Sequence, residues 1–357
     1  MRVLFASTQG AGHFGPLVPF VEACVRHGHE VLVVGPQTLD PRGLPFRPGE
    51  RPPDEELRPL WEAMPQQPPG QSDVVVVGRI FADLNVRAML PTLRAAIDEW
   101  RPDLVVREPN EYASAIAAED AGVPHVRVAI GLSLAEEGAL AIATPALEAA
   151  RPGITRAIAT SAYFTCWPES VDPASFPVAR FRAPLAGAAP PAPTGWWPDD
   201  ARPLVYATLG SVAGSLPAAA AAFPQVLAAL GAVPVRALLT TGVELDLGDV
   251  PENVHVERWV PQADVLAHAT VVLCHGGAGT TLGALEAGVP LVVVPLFADQ
   301  PHNAVRVAAV GAGEVSSLAG IRPALERVLS DARYARAAGA VAAEIRRLPP
   351  VDEFLAR

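Results

Sequence analysis

Short β-branched runs alternate with helix-patterned stretches along this chain, and the alternation stops once and then begins again. Val3–Ala6, Val31–Val34, Leu104–Val106 and Val126–Ile130 read as strands, separated by Pro16–His27, Leu90–Trp100 and Tyr112–Ala121 with helical spacing. From Pro184 to Pro203 the text becomes PLAGAAPPAPTGWWPDDARP, too rich in Pro and Ala to hold regular structure for long. Beyond it Leu204–Thr208, Ala237–Thr240, Val254–Val256, Val271–Cys274 and Leu291–Val294 read as strands, with helices Pro217–Leu230, Gly279–Ala287 and His302–Val310 between them. Buried parallel strands with helical crossovers satisfy this pattern. The expected fold class is therefore α/β, with two doubly wound Rossmann-like domains, a number that 357 residues suit. Ligands of such sheets bind beyond the carboxyl ends of the strands, so two facing domains imply a cleft.

Composition removes several classes. A formal charge of −11 argues against a nucleic-acid or anionic-membrane surface. Apolar runs are short, none reaching the roughly 18 to 20 residues of a membrane span, and the start, MRVLFAST, lacks the pattern of a secretory signal. A soluble cytoplasmic protein is the expectation. Cys24, Cys166 and Cys274 match no metal-binding spacing and read as reduced, largely core residues. All 27 basic residues are arginine. Without lysine there is no P-loop lysine, no Schiff-base lysine and no kinase-type lysine, so phosphate must be held by Arg, His, hydroxyls or backbone N–H groups.

The turn STQGAGHFGPL, residues 7 to 17, contains a literal G-x-G-x-x-G. A nicotinamide-binding turn would need an acid at the end of the second strand, where this chain has Gly35-Pro36-Gln37, Glu30 lying at the wrong end. The alternative is that Gly10 and Gly12 allow a tight turn that projects His13 from the N-terminus of a helix opened by Pro16. A helix N-terminus disfavours imidazolium, so His13 is a candidate general base rather than a simple cap. Glu108, just past the third strand, is placed to orient it, with Glu111 as competitor.

In the second half, strand Val271–Cys274 runs into His275-Gly276-Gly277-Ala278-Gly279-Thr280-Thr281 and then a helix. A Gly- and hydroxyl-rich turn at a helix N-terminus suits a diphosphate, with His275 as a further donor. Trp259 could stack a flat base, and Asp299 and Gln300 offer groups for sugar hydroxyls.

Five ordered motifs, Gly12-His13-Phe14-Gly15-Pro16, Leu209-Gly210-Ser211, Trp259-x-Pro261-Gln262, His275-Gly276-Gly277-x-Gly279-Thr280 and Asp299-Gln300, resemble the inverting family 1 glycosyltransferases of GT-B fold. In particular the chain looks like the bacterial branch that decorates antibiotics and other secondary metabolites. The resemblance implies an acceptor-binding domain over 1–187, a linker over 188–202, a nucleotide-sugar domain over 203–340, and a C-terminal helix over 341–357 that packs back on the first domain. It implies that His13 deprotonates the acceptor and that Glu108 stands where the family usually has Asp, one methylene shorter. Trp259 would stack on the nucleobase with Gln262 nearby. Ser211, His275, Gly277, Gly279 and Thr280 would hold the diphosphate, and Asp299 and Gln300 would read the sugar. A Glu that binds the nucleotide ribose in plant relatives is matched here by Gly283, which fits a dTDP-sugar better than a UDP-sugar.

The expected reaction is metal-independent, with no D-x-D motif in the sequence and no cofactor beyond the nucleotide-sugar cosubstrate. The expected acceptor is a hydrophobic aglycone such as a polyketide, its side of the cleft lined by the weakly patterned segments Trp61–Phe81 and Leu132–Ala143. A homodimer is left open. Two rival readings are a nicotinamide oxidoreductase and a non-catalytic helper of a glycosyltransferase.

Overall fold

The computed structural model describes residues 1–64, 71–183 and 201–356. The chain divides into two compact units. The first takes Met1–Cys166, Ala174–Pro184 and Pro349–Arg357, and the second takes Trp167–Pro173 and Leu185–Leu348. Most of the linker expected over 188–202 lies outside the described residues.

The first unit holds a seven-stranded sheet: β1 Arg2–Ala6, β2 Glu30–Pro36, β3 Phe46–Gly49, β4 Leu104–Arg107, β5 His125–Val128, β6 Tyr163–Thr165 and β7 Ala179–Arg180. Their spatial order is β3-β2-β1-β4-β5-β6-β7, all pairs parallel. The chain leaves β1 toward β2 and β3 on one side, then crosses back from β3 to β4 and continues outward on the other. The order therefore reverses between β1 and β4, where Ala6 faces Arg107. Such a switch point opens a crevice at the carboxyl ends of the two strands.

The second unit repeats the plan with β8 Leu204–Thr208, β9 Arg236–Thr240, β10 Val254–Glu257, β11 Val271–Cys274, β12 Leu291–Val293 and β13 Gly313–Val315. The order β10-β9-β8-β11-β12-β13 is again parallel throughout, and its switch point lies between β8 and β11, where Thr208 faces Cys274. Central strands are apolar on both faces, as sheets covered by helices on two sides require: β8 and β11 are buried along their whole length.

Three sequence expectations change. Trp61–Phe81 and Leu132–Ala143, read as weakly patterned, fall largely in helices: Asp54–Ala63, a π-helical stretch Val74–Asn85 continuing into Val86–Trp100, and Ser133–Ala150. The helix expected over 341–357 is the end of a longer helix, Ala332–Arg347, followed by a 3-10 segment, Val351–Ala356. Pro349-Pro350 separates the two, since proline cannot donate to a continuing helix. Val126–Ile130 is shorter than expected, β5 ending at Val128.

The closing segment belongs to the first core. Arg182 N–H donates to the Pro349 carbonyl at 2.9 Å, Arg26 pairs with Asp352 at 2.8 Å, and Val351 and Phe354 are buried beside Phe20, Phe164 and Phe181. Cys24 and Cys274 are buried free thiols whose pKa burial pushes up to about 12, and Cys166 is partly buried. No helix among the described residues is long and apolar enough to cross a membrane.

Candidate active site

The residues that the motifs single out follow the carboxyl ends of strands in both units, with His13 and Glu108 at the first switch point and Ser211 and His275 at the second. In the first unit, β1 runs into Ser7-Thr8-Gln9-Gly10 and then a short helix, Ala11–Phe14. Gly10 stands at φ +113, a backbone conformation that L side chains rarely adopt. Gly12 is inside the helix with open space around it, so only one of the two glycines is needed for the turn. His13 therefore projects from this first helical turn rather than from the helix Val18–Arg26 that follows Pro16.

His13 Nδ1 stands 3.2 Å from Oε1 of Glu108, with the histidine 22% exposed and the glutamate fully buried. The same Oε1 accepts the Thr8 N–H at 3.1 Å and the Thr8 hydroxyl at 2.7 Å, and Oε2 accepts the Asn110 N–H at 2.7 Å. Burial is the largest single influence on Glu108 and acts to raise its pKa, yet His13, Thr8 and Asn110 together hold it below the usual carboxylate range. Glu111 is turned to other work. Its Oε2 accepts the Ser114 N–H at 2.9 Å in the first turn of the helix Ala113–Ala121, and burial raises its pKa. Beneath the loop lies Arg107, fully buried, whose Nη1 donates to the carbonyls of Glu108, Pro109 and Glu111 at 3.2, 3.1 and 3.2 Å. Burial and the nearby Arg127 bring its pKa down to about 10, so it stays cationic at neutral pH. Phe81 covers the other side of His13, ring edge to face at 5.5 Å. The end of β2 offers no acid for a ribose: Gly35 there is closed in by Leu39 and the Ser7 carbonyl.

In the second unit, Ser211, Trp259, His275, Gly277 and Asp299 all follow the carboxyl ends of parallel strands and so share one edge of the sheet. The helix Ala278–Ala287 begins after Gly277, and its first intrahelical bond runs from Thr281 N–H to the Gly277 carbonyl. The N–H groups of Ala278, Gly279 and Thr280 thus precede the ladder, at the positive end of the helix. His275 is buried with its pKa lowered by burial to about 4, so it is a neutral ring there. A β-carbon on Gly277 would lie 2.4 Å from its Nε2, and one on Gly210 2.6 Å. Gly277 is a glycine because the imidazole fills the space beside it, whereas Gly279 faces open space.

Trp259 is 69% exposed, so its ring is not committed to the core. Gln262 Oε1 accepts the Thr280 hydroxyl at 3.4 Å, and its Nε2 lies 2.6 Å from where a β-carbon on Gly283 would stand. Asp299 Oδ2 accepts from Asn303 Nδ2 at 2.8 Å, and the same nitrogen donates to the Gly276 carbonyl at 2.9 Å. Gln300 is turned inward. Its side chain is 2% exposed and its Oε1 accepts the N–H groups of Leu296 and Phe297, at 2.7 and 3.0 Å, so it braces its own loop instead of offering that oxygen to a sugar. Ser211 is exposed in the turn after Gly210.

Comparison with known proteins places these features. The family model "Erythromycin biosynthesis protein CIII-like", N-terminal domain, matches residues 74–173, and the C-terminal domain model matches residues 224–356. The L-demethylnoviosyl transferase of Streptomyces niveus is 35% identical, the match covering 98% of this chain and 95% of the relative. Elloramycin glycosyltransferase ElmGT of Streptomyces olivaceus is 33% identical over 100% of this chain and 96% of its own. Among solved structures, the glycosyltransferase SnogD from Streptomyces nogalater superposes with a TM-score of 0.81 at 28% identity, covering 100% of this chain and 98% of that one. The Streptomyces sp. SF2575 glycosyltransferase SsfS6, complexed with thymidine diphosphate, gives 0.78 at 25% identity, with coverage of 100% and 98%.

Fold and relatives together make this protein a glycosyltransferase of GT-B type. Within that class the chain belongs to the family 1 natural-product glycosyltransferases, which serve antibiotic biosynthesis.

Proposed function

We propose that the protein transfers a deoxysugar, with inversion, from a dTDP-linked donor to a hydrophobic aglycone such as a polyketide. The observation that carries this reading is the pair at the first switch point, a partly exposed His13 backed by a fully buried Glu108. With Nδ1 facing Glu108, Nε2 is assigned to the acceptor. In the proposed step His13 takes the acceptor's hydroxyl proton, the acceptor oxygen bonds to the anomeric carbon, and the bond from that carbon to the diphosphate breaks. Glu108 stabilises the imidazolium that forms. The departing charge meets the N–H groups at the start of the helix Ala278–Ala287, oriented before the reaction begins.

Those donors serve the leaving group as a divalent ion would, so the reaction is expected to proceed in EDTA. Complete loss restored by magnesium would overturn that part. The dTDP assignment is supported by the thymidine diphosphate held by SsfS6 and by Gly283, where Gln262 fills the space that an acidic side chain would need. Comparable kcat/KM for UDP-glucose and for dTDP-sugars would remove its support. Trp259, Ser211 and Asp299 are assigned to the base, the diphosphate and the sugar. Gln300 is assigned to the loop that carries Asp299. The helices Val74–Asn85 and Ser133–Ala150, with exposed Val74 and Leu134 and with Phe81 against His13, are assigned to the acceptor.

The test is turnover with a panel of nucleotide sugars and apolar acceptors, read by mass spectrometry. His13→Ala is expected to lower turnover by about 10²-fold or more while thymidine diphosphate still binds. Full activity of that variant would end the base assignment.

A further inference from the structure

We propose that Thr8 is a positioning residue for the His13–Glu108 pair, its hydroxyl and backbone N–H together fixing Glu108 Oε1 beside His13 Nδ1. The inference rests on the reading of His13 as the base.

A glutamate has one more side-chain torsion than an aspartate, so the same backbone position can swing its carboxylate through a wider arc. Here that freedom is removed by three short donors. Thr8 supplies two to one oxygen, at 3.1 and 2.7 Å, and the Asn110 N–H holds the other at 2.7 Å. The register of the sheet makes this reach available. Ala6 of β1 faces Arg107 of β4, so the second residue past β1 meets the first residue past β4. Ser7 does not share the task, since its hydroxyl donates to the Thr8 carbonyl at 3.0 Å. Arg107 clamps the backbone of the 108–111 loop from below, so the carboxylate can be reoriented only by changing what its oxygens accept. The Thr8 hydroxyl is the one side-chain donor of the three.

Thr8→Val keeps the shape and the N–H and removes the hydroxyl, while Thr8→Ser keeps the donor. In Thr8→Val, kcat at saturating donor is expected to fall about tenfold, with donor KM changing less than about twofold; Thr8→Ser is expected to stay near wild type. The independent readout is the tautomer of His13 in histidine-labelled protein without substrate, by nitrogen-15 NMR. Wild type and Thr8→Ser are expected to carry the proton on Nδ1, and Thr8→Val a mixture of both tautomers. If the valine variant fails to fold, Thr8→Ala replaces it in both measurements. Wild-type kcat and an unchanged tautomer in Thr8→Val overturn the proposal, as does an equal loss in Thr8→Ser. A His13→Ala enzyme that still transfers sugar would remove the base reading and leave the tautomer result standing, so the two failures are separable.

Discussion

The imidazole of His275 occupies the space that a side chain on Gly277 would need, a β-carbon there standing 2.4 Å from Nε2. Gly279, two residues on, has nothing within 4 Å of the same position. Gly277→Ala is therefore expected to cost about 1–3 kcal/mol through overpacking and to lower Tm by several degrees. Gly279→Ala is expected to leave Tm unchanged or slightly raised, since alanine favours the helix, yet to weaken thymidine diphosphate binding by crowding the exposed N–H groups. Melting curves and calorimetric titration separate the two variants; equal losses of Tm would contradict the geometry.

Trp259 has a free ring face and little burial to lose. Trp259→Ala is expected to keep the melting temperature while weakening thymidine diphosphate binding by about 1–3 kcal/mol, the usual worth of one stacked base. Quenching of tryptophan fluorescence by the nucleotide in wild type, reduced in the variant, provides a second check.

Glu108 and Glu111 are separated by what they hold. Glu108→Gln keeps the shape but removes the charge and leaves one acceptor where two are needed, so that its N–H2 faces either the Asn110 N–H or the Thr8 and His13 donors, and is expected to lower kcat by about 10²-fold. Glu111→Gln keeps an oxygen for the Ser114 N–H and is expected to stay within about threefold of wild type. A reversed ranking in steady-state assays would move the partnership to Glu111.

The folded-state pKa of His275, about 4, lies below its ordinary 6.5 because burial disfavours imidazolium, with the Thr208 backbone pulling the other way. The sign is that of a depressed group. Its stabilising contribution is complete above pH 6.5 and is lost as pH falls toward 4. His125, lowered by burial to about 3, acts in the same direction. Melting temperature is expected to fall across that window, and His275→Gln to flatten part of the fall. In NMR titration the His275 ring is expected to show no change between about pH 5 and about pH 8.

The sheets were legible where strands are buried on both faces, because β1, β2, β8 and β11 must be written almost wholly in apolar residues. β3, β7 and β13 lie at sheet edges and β6 beside one, and they were not read. Their sequences, FRPG, AR, GEV and YFT, are too short to show a period. His13 and Glu108 could be paired in advance because each follows a strand, and neighbouring parallel strands bring their ends together. Thr8, Asn110 and Asn303 could not, since a polar residue that positions another leaves no pattern in the text. The inward turn of Gln300 was hidden for a related reason. Spacing places it beside Asp299 but does not say which of the two side chains turns inward.

The segment Pro349–Arg357 completes the first core although it is the last part of the chain. The rings of Phe20, Phe164 and Phe181 pack against one another, and Phe354 packs against two of them, within 5.1 Å of Phe20 and 5.8 Å of Phe164. A hybrid enzyme joined once, at the linker, would therefore inherit its closing aromatic from the wrong parent. Exchange of acceptor and donor halves between relatives calls for two junctions, with the final residues grafted back beside the sheet they seal.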